Sequence, residues 1–333
     1  MKCFIRYLYY LIYIELPLNI TLRWKSAGIT VAGVSGVAGS NATELNLPID
    51  LALDSSNSIM YITDYYNNRV QKWILGQSFG RTVAGQSNGT QGSTARYLYH
   101  PDGICLDSNE NIYISDTGNH RIQFWMKGAT NGTRVAGTGT SGPANNELHS
   151  PYGVIKDSTM NKLYIADFEN HRVMSYASNA STGFIEAGGL GAGFDSTHLR
   201  YPLGIHLDLW TNSLLIANFG ANNIVRWPLG ATNWTLAAGN LTGASGSSSS
   251  TLSLCTGVTL DPMGNIYVAD AGNHRIQFFL ENQTEGRTIA GVTGTISNAS
   301  IHLTTPYTVR LDSQLHLYVV DSGNNRVQRF DRY

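Results

Sequence analysis

One strand ending occurs six times in this chain at a nearly fixed interval, and that interval limits the fold more than any other feature. It reads Tyr61-Ile62-Thr63-Asp64, Tyr113-Ile114-Ser115-Asp116, Tyr164-Ile165-Ala166-Asp167, Leu215-Ile216-Ala217-Asn218, Tyr267-Val268-Ala269-Asp270 and Tyr318-Val319-Val320-Asp321. From Asp64 to Asp116, Asp167, Asn218, Asp270 and Asp321 the steps are 52, 51, 51, 52 and 51 residues. A unit of that length, repeated this often, is one supersecondary element in an array rather than a set of different domains.

Three further markers keep the same step. Arg69, Arg121, Arg172, Asn223, Arg275 and Arg326 each follow the acidic position by five residues. Triplets such as Val83-Ala84-Gly85 and Val135-Ala136-Gly137 recur, and Pro48, Pro101, Pro151, Pro202 and Pro306 open short runs ending in Asp54, Asp107, Asp157, Asp208 and Asp312. In the fifth unit Cys255 takes the proline position and Asp261 closes the run. Each unit therefore holds four short segments rich in Val, Ile, Tyr and Phe, separated by turn-forming residues. None has the length or period of a helix. The expected fold is all-β, a six-bladed β-propeller of four-stranded antiparallel blades. A Val-Ala-Gly strand at 29–33 precedes the first unit, and none follows Phe330. The N-terminal strand is thus expected to join the last blade and close the ring, which removes exposed sheet edges.

The runs Asp116-Thr117-Gly118-Asn119-His120-Arg121-Ile122 and Asp270-Ala271-Gly272-Asn273-His274-Arg275-Ile276 resemble the signature of NHL repeats, and the runs from Asp167 and Asp321 match it closely. Pro101-Asp102-Gly103-Ile104-Cys105-Leu106-Asp107 is similar to that family's first strand. The resemblance spans roughly residues 29–333. It implies a propeller whose relatives include RNA-binding ends of ubiquitin ligases, a peptide-amidating lyase and extracellular sensor domains. Fold alone does not choose among them.

With a formal net charge of −1, and 14% charged residues, the chain lacks the electrostatic footprint of a nucleic-acid binder. Cys105 and Cys255 fall in first strands on opposite sides of a six-fold ring, poorly placed to pair, and no Cys-x-x-Cys motif exists. Residues 1–25 form a hydrophobic tail outside the repeat, and residues 26–333 form the propeller. The tail has the charge-then-apolar order of a secretory signal, but its apolar run is short and no small-x-small cleavage site follows. A degraded signal, a signal anchor and a misassigned gene start each fit it. Glycosylation acceptors stand at Asn19, Asn41, Asn88, Asn131, Asn179, Asn233, Asn240, Asn282 and Asn298. Eight of them follow third or fourth strands, where all are expected in exposed loops. This favours an extracellular home over the cytoplasmic alternative.

Residues present in every unit read as architecture. The Asp64/Arg69, Asp116/Arg121, Asp167/Arg172, Asp270/Arg275 and Asp321/Arg326 pairs are expected to be structural, because Asn218 and Asn223 replace acid and base together in the fourth unit. His120, His171 and His274 share one repeated position and read the same way. Gly118, Gly220, Gly272 and Gly323 are expected to supply a left-handed turn. Function should sit where units differ, on the face carrying the entries to the first strands and the turns after the Tyr-rich strands. That top face is expected to present Asp102, Tyr152, Leu203 and Tyr307 after the prolines, with Tyr65, Tyr66, Phe168, Glu169 and Phe219 from the turns. Deeper along the first strands, the ring Ala52, Cys105, Ile155, His206, Thr259 and Arg310 contains two odd members, His206 and Arg310, which could meet a ligand if they face the channel. His100, His149, His198 and His302 lie in entry loops at irregular offsets, which gives no defined metal geometry. No convergent catalytic set is visible.

The expected function is a non-enzymatic, monomeric binding or scaffold propeller recognising a protein, peptide or glycan through its top face, with no cofactor and no membrane-embedded domain beyond a possible N-terminal anchor. A metal-dependent lyase or hydrolase, holding Zn²⁺ or Ca²⁺ and resembling the amidating lyase, is the alternative. RNA binding comes third, disfavoured by the charge.

Overall fold

The computed structural model describes residues 22–333, which form six four-stranded antiparallel sheets. Blade 1 is β2 (Pro48–Leu53), β3 (Ile59–Asp64), β4 (Arg69–Ile74) and β5 (Gly80–Gly85). Blade 2 follows with β6 (Pro101–Leu106), β7 (Ile112–Asp116), β8 (Arg121–Trp125) and β9 (Thr133–Ala136), and blade 3 with β10 (Pro151–Asp157), β11 (Lys162–Asp167), β12 (Arg172–Ala177) and β13 (Phe184–Gly188). Blade 4 comprises β14 (Pro202–Asp208), β15 (Ser213–Asn218), β16 (Asn223–Pro228) and β17 (Thr235–Gly239), and blade 5 β18 (Cys255–Leu260), β19 (Ile266–Asp270), β20 (Arg275–Phe279) and β21 (Gly286–Gly291). Blade 6 has β22 (Pro306–Leu311), β23 (Leu317–Asp321) and β24 (Arg326–Phe330), and its outer strand is β1 (Ile29–Gly33), with Thr30 opposite Gln328. The ring closes as the sequence implies.

The core lies between blades. Trp73, Trp125, Tyr176, Trp227, Phe279 and Phe330 stand at the last or next-to-last position of the third strand of successive blades and are all buried. Burying each such ring stabilises the fold by about 1.5–3 kcal/mol. Residues 22–25, grouped with the tail by sequence, also join this packing. Trp24 is 7% exposed, donates its indole N–H to the Leu315 carbonyl at 2.7 Å and sits edge-on to Tyr267. The rest of the tail, with Cys3 and Asn19, lies outside the described residues. Cys105 and Cys255 are unpaired thiols.

All five acid–base pairs form. Each arginine Nε donates to its aspartate Oδ2 at 2.7–2.8 Å, with the carboxylates fully buried. The same guanidinium clamps the loop that enters its blade: Arg275 donates to the carbonyls of Ser247, Ser248 and Thr251 at 2.8–3.1 Å. In blade 4 Asn223 instead donates to the Asn240 carbonyl, and the entry loop is held from elsewhere, by Trp234 Nε1 donating to the His198 carbonyl at 2.8 Å.

The turn chemistry differs from expectation at one point. Gly118 does not take the left-handed conformation; that belongs to His120, two residues later, with φ 51°. Gly118 is required by crowding, since a Cβ there would lie 2.4 Å from the Tyr99 ring, and Gly220, Gly272 and Gly323 are crowded in the same way. The structural reading of the repeated histidines fits their bonding. His120, His171 and His274 accept the backbone N–H of Ser150, Tyr201 and Thr305 through Nδ1, as Asn68, Asn222 and Asn325 do through Oδ1 for His100, Leu254 and Leu47.

Candidate functional site

The first strands of the six blades line the axis, and their approach is controlled by one repeat position. Gly103, Gly153, Gly204 and Gly257 sit so close to the next blade that a Cβ on each would come within 2.3–2.7 Å of a neighbouring carbonyl oxygen. The channel is therefore pinched backbone against backbone through blades 2 to 5. Blades 6 and 1 carry Thr308 and Asp50 at that position, and side chains fill the remaining gap.

Asp50, 4% exposed, is fully partnered. It accepts from Leu51 N at 2.8 Å and Ile104 N at 3.1 Å, and Arg310 Nη2 reaches both its oxygens at 2.8 and 3.1 Å. Asp50 and Asp102 both border a small void left at the pinch, which measures about 10 Å³, near the least that holds one water. Asp102 is 2% exposed, its Oδ2 has no hydrogen-bond partner, and among the described residues no donor reaches its other oxygen. Burial, reinforced by the Asp50 carboxylate, pushes its acid well above the usual carboxylate range.

Below the pinch the channel opens into a cavity lined by Ala52, Cys105, Ile155, His206 and Arg310, five of the six ring positions read from the sequence. His206 and Arg310 do face the channel. Neither offers an open charge: Arg310 is bound to Asp50, and burial lowers the His206 imidazole to about 4, with Nδ1 3.3 Å from Thr259 Oγ1.

Above the pinch lies an aromatic mouth. Tyr152 meets Phe168 at 4.6 Å between ring centroids, and Phe168 meets Tyr201 at 5.0 Å and Phe219 at 6.1 Å, joining blades 3 and 4. Across it, His100 stacks on Tyr65 at 4.4 Å and 9°, flanked by Tyr66 and Tyr99, joining blades 1 and 2. Burial, with the Asp102 charge as the next cause, pushes the Tyr65 phenol up to about 12 and raises those of Tyr152 and Tyr307. Glu169 stays exposed at the rim.

The site thus unites Asp102, Tyr152, Phe168, Phe219 and Tyr307 with Tyr65, and places His206 and Arg310 deeper. Sequence reading missed Asp50, Tyr99, Tyr201 and the stacking role of His100. Asp50 was readable: it stands where four other blades have glycine. The entry-loop histidines scatter, with His149 edge-on to His120 and His198 bonded to Asp195 at 2.7 Å. Among the described residues no three His, Cys, Asp or Glu side chains group as metal ligands.

The NHL repeat family model matches residues 98–124, 252–279 and 303–330, the first-to-third-strand portions of blades 2, 5 and 6. This chain carries NHL repeats. Arabidopsis thaliana Protein SUPPRESSOR OF QUENCHING 1, chloroplastic, is one relative, 28% identical over 161 residues, covering 43% of this chain and 15% of that protein. Human NHL repeat-containing protein 2 is 32% identical over 95 residues, covering 27% and 13%. The chain therefore spans less than a sixth of these relatives' lengths. Among solved structures, an auxiliary nutrient binding protein from Bacteroides thetaiotaomicron superposes with TM-score 0.68 at 13% identity, covering 94% of this chain and 77% of that one. A gluconolactonase from Xanthomonas campestris gives TM-score 0.64 at 12% identity, covering 92% and 97%. At such identities the likeness of this NHL propeller to both is one of fold.

Proposed function

We propose that this NHL propeller is a binding module, extracellular and without enzymatic activity, that takes a protein, peptide or glycan partner on its top face. The observation that carries this reading is the mouth itself: aromatic rings from different blades, variable in sequence, gather at one end of the axis. Clustered tyrosines and phenylalanines around a desolvated centre are the usual anchors of a binding surface. The metal-dependent alternative has no comparable support, because the loop histidines point to separate local partners. Peptide and glycan arrays probed with the intact chain and with a Tyr152→Ala/Phe168→Ala/Tyr307→Ala variant test the reading. The triple variant, checked for folding by its thermal midpoint, is expected to lose about 2 kcal/mol or more of binding, roughly thirtyfold. Full retention of every array interaction by that variant would remove the top face from consideration.

A further inference from the structure

We propose that the channel mouth receives a protonated primary amine carried on a slender chain, with Asp102 as its carboxylate partner and the hydroxyls of Tyr65, Tyr152 and Tyr307 as further acceptors. This rests on the top-face reading above and specifies what enters the mouth.

The charge balance of the axis points to a cation. Two carboxyls, Asp50 and Asp102, share the pinch with one base, and Arg310 is already committed to Asp50 through both oxygens. Asp102 is left 2% exposed with an unpartnered oxygen bordering the void. A buried carboxyl without donors is costly unless something supplies them. Among the described residues the Tyr65, Tyr152 and Tyr307 hydroxyls also have no hydrogen-bond partner, although each lies within the field of Asp102. An ammonium group offers three donors and no acceptor, which matches a carboxylate and phenol oxygens that lack hydrogen-bond partners. An anionic group would meet two carboxyls instead. The void beneath holds no more than one water, so only a narrow tip reaches Asp102 while the chain behind it lies among Phe168, Tyr201 and the tyrosine rings.

The proton balance gives a distinctive signature. Unliganded, Asp102 has its proton affinity raised by burial and by the neighbouring Asp50. Binding R–NH₃⁺ favours the carboxylate, so Asp102 gives its proton to solvent as the ion pair forms. The groups facing it are Asp50 from β2, Tyr65 from the turn after β3, Tyr152 from β10, and Tyr307 and Arg310 from β22, with Glu169 acting on Tyr152. Affinity should therefore rise with pH until the amine itself deprotonates, near about 10.4 for a lysine-like group.

Calorimetric titration of the whole chain in buffers of different ionisation enthalpy tests this, with n-butylammonium as probe and 1-butanol as its neutral counterpart. Butylammonium is expected to bind with proton release, and 1-butanol at least about tenfold more weakly. Asp102→Asn should lose the proton release and weaken the amine at least about tenfold without lowering the thermal midpoint. If that variant does not fold, Tyr152→Phe/Tyr307→Phe, which keeps the rings, should weaken butylammonium and leave 1-butanol unchanged. A lysine peptide binding more tightly than butylammonium, and losing this on acetylation, assigns the amine to a protein; equal binding assigns it to a free small amine. Equal affinity for butylammonium and 1-butanol, or unchanged amine binding in a folded Asp102→Asn variant, overturns the proposal. Array interactions that need the three aromatic residues but show no preference for amines would overturn it too, while leaving the top-face reading in place.

Discussion

Near the axis, burial disfavours the charged form of an acid and of a base alike: the Asp102 carboxyl is pushed up and the His206 imidazole is brought down to about 4. Their effects on stability have opposite signs. An unfolded histidine titrates near about 6.5, so the unfolded chain binds protons more readily than the folded one below that pH. The stability contributed by neutral His206 is present above about pH 6.5 and is lost as pH falls toward about 4, by up to roughly 2 kcal/mol at pH 5. Asp102, with its raised value, works the other way above its unfolded value near about 3.9. Comparing urea midpoints of the wild type and His206→Gln between pH 7 and pH 5 isolates the imidazole, and the variant is expected to show the shallower fall. His206 and Arg310 were legible in the sequence because a six-fold ruler exposes odd members at a shared position. Asp50 stands on the same ruler, two residues closer to the strand's start, where the comparison of Ala52 with its equivalents did not reach. Tyr99 and Tyr201 occupy different offsets from their prolines, so no ruler pairs them; only the curvature of the ring brings their loops toward one mouth.

Within a blade, the acid–base pair is a clamp that fixes the entry loop to the turn after the second strand. The paired loss at Asn218 and Asn223 shows how the clamp can be removed: both charges go, and Trp234 takes over the loop carbonyl. Removing one partner elsewhere strands a buried charge, at a cost of about 3–5 kcal/mol. Arg275→Asn alone is therefore expected to destabilise by that amount. Asp270→Asn with Arg275→Asn, which copies blade 4, should cost less than the sum of the single changes by at least about 1 kcal/mol. A denaturant double-mutant cycle measures this, and strict additivity would refute the coupling. Strand order, blade number and the pairs could be read directly because proline, aspartate and arginine mark each strand's ends. The role of Gly118 could not, because sequence does not separate a glycine needed for positive φ from one needed to clear a neighbouring tyrosine.

At the scale of the whole molecule, seven of the eight sequons on described residues, all but Asn240, present exposed asparagines on both faces of the ring. Asn240 is half-buried, and its side-chain oxygen is taken up by Thr242. If the extracellular reading holds, protein recovered from a eukaryotic secretory pathway should lose mass on treatment with peptide N-glycosidase, with Asn240 the least occupied site. Secreted material unchanged by the enzyme would oppose that reading. The joining of β1 to β24 has a consequence in time as well as in space. Thr30 pairs with Gln328, 298 residues later, and a ribosome adding about 5–20 residues per second separates their appearance by roughly 15–60 s. Throughout that interval blades 1 to 5 can stack on one another in turn, but the outermost strand of blade 6 waits unpaired. The strand pairing that turns an open stack into a ring is completed only with the last of the twenty-four described strands to be made in synthesis.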